Sequence, residues 1–321
     1  MGMCEVTEKF SQTLKIFMGA LLLTPNEANM RLQEIAKEYK FSFQNDKCNE
    51  RTLHAVIGFP TENGYQRIFV KYRRPNSDEG AIMLKLLPFQ ETLVFPAVYF
   101  ADSHWLIMHH IEDHIPYLTD SDAFITTAMN HLYNIQSIGP AEIPIERVDM
   151  LESFLDDQHL DRIDRWLNEQ RAVSLESLAE ERKLVCRLRS ERKRLLEIME
   201  GEELVLSHGD YQPYNILRVG GAAYVIDWED CAFRPRYLDI AWLLQALEAV
   251  YDLPTEAAWK AWATYRDKFG LGDAGSKVYC LYRVLSGLKY ASNICSYEHH
   301  VLTFIKHYRL MVENWSKFMA V

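Results

Sequence analysis

Leu206-Ser207-His208-Gly209-Asp210-Tyr211-Gln212-Pro213-Tyr214-Asn215-Ile216-Leu217, followed by Val225-Ile226-Asp227-Trp228-Glu229, is the stretch on which the reading of this chain turns. Residues 216–219 and 223–226 read as two short strands, and Gly220-Gly221 between them is a hairpin signal. A three-residue loop at 220–222 pairs Val219 with Ala223 and, further down the ladder, Asn215 with Asp227. Facing Cα atoms in such a ladder lie about 4.5–5.5 Å apart, so one cation could bridge the two side chains. A two-residue loop puts them one step out of register. Asp210 precedes Asn215 by five positions in a loop broken by Pro213, which lets it approach the same ion from another side. An acid, an amide and a second acid at this spacing suit phosphoryl transfer. One carboxylate orients a hydroxyl and takes its proton, while the amide and the other acid hold Mg²⁺.

His208-Gly209-Asp210, Asn215-Ile216-Leu217, Ile226-Asp227-Trp228-Glu229 and Asp239-Ile240-Ala241 together resemble the core of the aminoglycoside phosphotransferase family. These small-molecule kinases are similar to choline, homoserine and methylthioribose kinases and share the protein-kinase-like fold. The resemblance implies an α+β, two-lobed fold, with an antiparallel-sheet N-lobe over about 1–112 and a mostly helical C-lobe over about 113–321. It implies Asp210 as catalytic base and Asn215 and Asp227 as metal ligands. It also implies His208 as a structural histidine and Asp239 as the acid bracing the catalytic loop. ATP, or GTP in its place, and Mg²⁺ are the implied cofactors.

Upstream, Thr24-Pro25-Asn26-Glu27 is a capping box that opens a helix with Leu32, Ile35, Ala36 and Tyr39 on one face. Arg51–Phe59 and Tyr65–Tyr72 read as strands joined through Asn63-Gly64. The second carries Lys71, which the resemblance implies grips the ATP phosphates. Asp78–Leu87 reads as a helix, and Glu79 at its start is implied as the partner of Lys71. Read alone, Lys71 is equally a strand lysine facing water and Glu79 an ordinary first-turn helix acid. The stretch corresponding to the family's phosphate loop, 44–51, has no glycine, so Asn49 or Arg51 would supply side-chain contacts instead. Two further strands, Ala97–Phe100 and Trp105–Ile111, lead to a hinge where adenine would meet the backbone near His109, His110 and Ile111. The histidines 104, 109, 110 and 114 alternate in direction along an extended chain, which argues against their converging on a metal.

Thr119–Ser137 reads as a helix stopped at Gly139-Pro140. Residues 141–170 form an acidic amphipathic segment. Its Asp156, Asp157, Asp161 and Asp164 face either bulk water or an acceptor, and Glu229 is counted with them as a candidate acceptor-side acid. Ser177 opens another helix, running to about Gly201. Helices follow at Tyr237–Val250, Pro254–Phe269, Ser276–Ile294 and Glu298–Met319, carrying aromatic residues expected mostly in the core.

The 321 residues carry a formal net charge of −10, which argues against a general nucleic-acid binder. Six scattered cysteines suit a reducing, cytoplasmic setting. The apolar run Leu14–Leu23 is too short to span a bilayer. The expected activity is ATP- and Mg²⁺-dependent phosphorylation of a small-molecule hydroxyl. A cationic acceptor such as an aminoglycoside-like antibiotic comes first. A metabolic kinase acting on choline, homoserine or a sugar is the alternative, although choline kinases usually carry Asn where Gly209 stands. A catalytically silent nucleotide-binding or interaction protein is the alternative of another class.

Overall fold

The computed structural model describes residues 24–38, 41–48, 52–61, 64–73, 79–102, 104–112, 120–145, 155–169, 179–219, 222–294 and 301–320. Asn49, Arg51, His114, the caps before Glu79, the box at Ser177 and the run Leu14–Leu23 lie outside them. The chain divides into two compact units. The first is Met1–Ile115 with Leu217–Glu229, and the second is Pro116–Ile216 with Asp230–Val321. Leu217–Glu229 thus groups with the first unit, where the sequence reading had put it in the C-lobe.

In the first unit, helix α1 (Pro25–Glu38) starts with the capping box, the Glu27 amide donating to Thr24 Oγ1 at 3.3 Å and the Thr24 amide to Glu27 Oε2 at 2.6 Å. Strands β1 (Ser42–Cys48), β2 (Thr52–Thr61), β3 (Gly64–Arg73), β4 (Val98–Ala101) and β5 (Trp105–His109) form an antiparallel sheet in the order β1-β2-β3-β5-β4 among the described residues. The register runs down to Thr61 opposite Gly64. Side chains alternate across a strand. Ile68, Val70 and Tyr72 of β3 therefore face one way, into a core with Leu53, Ala55, Ile57, Trp105 and Ile107 that α1 covers with Ala28, Leu32 and Ile35. Lys71 points to the opposite face.

One expectation is corrected here. Gln44–Cys48 is strand, not loop, pairing antiparallel with β2. The polar sequence misled because β1 is an edge strand. Phe43 packs partly buried against the core, while Gln44 and Asn45 are exposed.

Helix α2 (Glu79–Leu86) and a single turn, α3 (Gln90–Leu93), connect β3 to β4. Gly80 is the close contact of α2, since a Cβ there would overlap the carbonyl oxygen of Asp102.

In the second unit, α4 (Ser121–Gln136) is capped by Asp120, whose side chain accepts from the Ala123 amide at 3.0 Å. Next come α5 (Asp157–Glu169) and α6 (Ala179–Glu200). Strand β6 (Leu204–Ser207) pairs antiparallel with β9 (Ala232–Pro235), a ladder absent from the sequence reading. Between them in sequence, β7 (Ile216–Val219) and β8 (Ala222–Val225) form the hairpin, which from Leu217 on belongs to the first unit, with β8 beginning one residue earlier than the spacing suggested. Helix α7 (Tyr237–Tyr251) is buried along nearly its whole length, as its apolar sequence requires. Helices α8 (Thr255–Lys268), α9 (Asp273–Ile294) and α10 (Val301–Met319) pack with it, burying Trp262, Tyr265, Tyr279 and Tyr282. No described helix is long and apolar enough to cross a membrane.

Candidate active site

Each unit holds a cluster of its own, built from short elements that fix one carboxylate. In the first unit, Lys71 Nζ lies 2.7 Å from Glu79 Oε2 and 2.7 Å from Asp227 Oδ1. Lys71 and Glu79 are 4% and 3% exposed, so this is a desolvated ion pair. Asp227 stands just beyond β8 at φ +65, in the left-handed region that Asp tolerates better than most residues. The position is pinned by its neighbours. The Val225 amide donates to the Val94 carbonyl at 3.1 Å, and the Trp228 indole donates to the Val225 carbonyl at 3.0 Å and packs edge-on against Phe95. Glu229 falls within 4.8 Å of Glu79 and Asp227 by its ligand atom. The ammonium of Lys71 already neutralises part of this three-acid group.

In the second unit, the loop after β6 is gripped from α7. Asp239, fully buried, accepts from Ser207 Oγ at 3.0 Å, the His208 amide at 2.8 Å and the Gly209 amide at 3.1 Å. Three donors on one carboxylate fix three consecutive residues. The ring Nδ1 of His208, also buried, lies 3.3 Å from the Asp210 amide and accepts from it. Gly209 takes φ +83, and a Cβ there would run into Asp230 and Arg234, so only glycine fits. Tyr211 is anchored to the Ala128 carbonyl at 2.8 Å.

Asp210 is held by four donors. Its Oδ1 accepts from Gln212 Nε2 at 2.7 Å and Trp242 Nε1 at 2.9 Å. Its Oδ2 accepts from the Tyr214 hydroxyl at 2.9 Å and Asn215 Nδ2 at 3.0 Å. The same Nδ2 donates to the Asp210 carbonyl at 2.9 Å. Asn215 thus turns its amide nitrogen to Asp210, and the other end of the amide is an oxygen, a donor type that suits hard cations. Gln212, Tyr214 and Trp242 were not singled out from sequence. Gln212 and Tyr214 sit inside the motif, two and four places after Asp210, whereas Trp242 is a turn along α7 from Asp239.

The other candidates distribute as follows. The His109 amide donates to the Ala97 carbonyl at 2.8 Å and the His110 amide to the Arg67 carbonyl at 3.2 Å. Asp156 and the α5 acids Asp157, Asp161 and Asp164 lie against arginines of α6 while their side chains stay 39–74% exposed. Asp156 accepts from Arg192 at 2.5 Å, and Asp157 lies 3.9 Å from the same guanidinium. Asp161 bonds Arg189, and Asp164 lies 4.0 Å from it. Among the described residues, the candidate histidines do not gather into a metal-binding group.

Comparison with known proteins supplies the context. A model of the phosphotransferase enzyme family (APH) matches residues 62–269. No curated protein matches the chain by sequence. Among solved structures, a choline kinase from Cryptosporidium parvum superposes with a TM-score of 0.63 at 13% identity, covering 98% of this chain and 96% of that one. An ethanolamine kinase from Plasmodium vivax gives 0.56 at 14% identity, covering all of both chains. An ADP-bound aminoglycoside phosphotransferase, APH(2'')-Ib, gives 0.52 at 15% identity over 88% of this chain and 96% of that one. At such identities the likeness is one of fold, and it is the protein-kinase-like fold.

Proposed function

Because the chain belongs to the phosphotransferase enzyme family, and so transfers a phosphoryl group to a hydroxyl of a small molecule, we propose that it takes that group from ATP with Mg²⁺ and uses Asp210 as the base. The observation that carries this reading is the mounting of Asp210. A loop clamped at three points by Asp239 presents one carboxylate held by four donors. A carboxylate fixed in direction can receive the acceptor's proton without reorganising.

Asn215 and Asp227 are the proposed metal ligands. Amide and carboxylate oxygens suit a hard divalent ion. Bound there, the ion would neutralise charge on the transferring group. Lys71 is the proposed phosphate contact, held in place by Glu79 and Asp227. With the His109 and His110 amides spent inside the sheet, adenine recognition in this region is assigned to the carbonyls and to Ile111.

The acceptor is a small alcohol. The preference for a polycationic antibiotic drew on the acidic segment that includes Asp156, Asp157, Asp161 and Asp164 and on Gly209, where choline kinases usually carry Asn. Pairing with Arg189 and Arg192 offsets part of the charge of Asp156, Asp157, Asp161 and Asp164 and weakens the first of these supports, so choline- and ethanolamine-like alcohols are tested beside aminoglycosides.

The test is mass spectrometry for phosphate gain across aminoglycosides, choline, ethanolamine, homoserine and sugars. Each is incubated with Mg²⁺ and either ATP or GTP. Asp210→Asn should still bind nucleotide and lose turnover by about 10²–10⁴-fold. Near-normal turnover in a folded Asp210→Asn protein rejects Asp210 as base. A wild-type chain that binds ATP yet forms neither ADP nor product favours the silent nucleotide-binding reading.

A further inference from the structure

Lys289 lies on α9, 79 positions beyond Asp210, and no motif points to it. Its Nζ donates to the Gly209 carbonyl at 2.6 Å. The same ammonium stands over the Trp242 indole, 4.8 Å from the ring centroid. Trp242 in turn donates its N–H to Asp210 Oδ1. Lys289 therefore reaches Asp210 by two routes, one through the backbone and one through the indole.

We propose that Lys289 is a positioning residue for phosphoryl transfer, fixing the direction of the Asp210 carboxylate through the Gly209 peptide and through Trp242. The assignment rests on Asp210 being the base. The peptide joining Gly209 to Asp210 has its C=O on Lys289 of α9 and its N–H on His208 Nδ1, while the Gly209 N–H on the other side of that residue is held by Asp239 of α7. Fixing both ends of the peptide that precedes Asp210 fixes the Cα–Cβ direction of Asp210. A cation over the indole face draws electron density from the ring and makes its N–H a stronger donor. Burial pushes the Lys289 ammonium below the usual lysine range, while Asp210 and then Asp230 oppose that effect. A lysine kept at a site that disfavours its charge, and aimed at the catalytic loop, has a purpose there beyond solvation.

The test compares wild type, Lys289→Met and Lys289→Arg, with water as phosphoryl acceptor and ADP release as the signal. Lys289→Met keeps length and packing but loses the donor and the charge. It should lower kcat about 10–100-fold, the scale of a misplaced catalytic group. KM for ATP and the melting temperature should stay within twofold and about 2 °C of wild type, the shift of a sub-kcal change. Lys289→Arg, which restores donor and charge, should recover at least half of the lost activity on a logarithmic scale. Wild-type kcat in Lys289→Met overturns the proposal. So does a loss of kcat that the melting temperature tracks or that Lys289→Arg leaves unrepaired.

If wild type forms ADP neither with water nor with any acceptor of the panel, it is the phosphotransferase reading that fails. Amide hydrogen exchange over residues 206–211 then decides the anchoring alone. Faster exchange in Lys289→Met supports it, and unchanged exchange overturns it.

Discussion

Two carboxylates share one ammonium at Lys71, and almost no water reaches the pair with Glu79. Removing the cation leaves Glu79 buried against Asp227 with like charges facing. Breaking a buried pair from one side costs about 3–5 kcal/mol, far more than the pair's net contribution. Lys71→Met should therefore destabilise the fold by about that amount in urea unfolding, and should weaken ATP binding as well. Adding Glu79→Gln to Lys71→Met removes the uncompensated charge and should restore part of the stability without restoring ATP binding. A Lys71→Met protein as stable as wild type would mean that water already screens the site. Fixed dipoles around Asp210 raise the same issue in another form. Four donors on one carboxylate leave it little freedom to turn, and the sequence showed only one of the four, Asn215, as a partner in chemistry.

At the scale of elements, α5 and α6 form a laced pair. The acidic face of one meets Arg189 and Arg192 of the other, yet Asp156, Asp157, Asp161 and Asp164 remain 39–74% exposed at their side chains. Exposed pairs are worth about 0–1 kcal/mol each. Changing all four to Asn should lower the melting temperature by only a few degrees and leave KM for ATP and for any identified acceptor unchanged. A selective rise in the acceptor KM would return these acids to the acceptor. How legible each element was follows from where its partners lie. The Thr24–Glu27 cap could be read because helix ends are decided by neighbours in sequence, whereas Asp239, 31 positions from the His208 amide it holds, was legible only through the family resemblance. Strand β1 could not, since an edge strand with one solvated face carries loop-like residues. The β6–β9 ladder joins two four-residue segments too short for any periodicity to show. Lys289 reads as one more helix lysine until α9 is packed, because its partners come from residues 209 and 242. The arginines opposite α5 were visible as charges, but only packing shows which face they meet.

For the whole molecule, the response to acid follows from polar groups sealed among α7, α9 and α10. Arg283 donates to Glu248, to Gln245 Oε1 at 2.8 Å and to the Tyr279 hydroxyl at 3.0 Å. With its oxygen on Arg283, Gln245 turns its amide nitrogen toward His307, 3.4 Å from Nδ1. His307 is fully buried and stacked on Tyr290 at 3.8 Å, and its Nε2 has no hydrogen-bond partner among the described residues. A proton on Nδ1 would confront the Gln245 amide, donor against donor. Burial first, and then the Arg283 charge, lower the His307 pKa to about 3 from 6.5. Between those values the unfolded chain binds a proton that the folded chain refuses, so stability rises with pH across the window and falls on acidification. The loss is about 1.4 kcal/mol per pH unit below 6.5 and ends near the folded pKa. Urea unfolding of wild type from pH 7 to 4.5 should therefore steepen relative to His307→Gln, which has no proton to refuse. Ring NMR of wild type gives a second reading that does not depend on the variant folding, with His307 remaining neutral at pH 4.5. A His307 that titrates near 6.5, or equal pH slopes for the two proteins, would mean that water reaches this part of the bundle and that its acid sensitivity arises elsewhere.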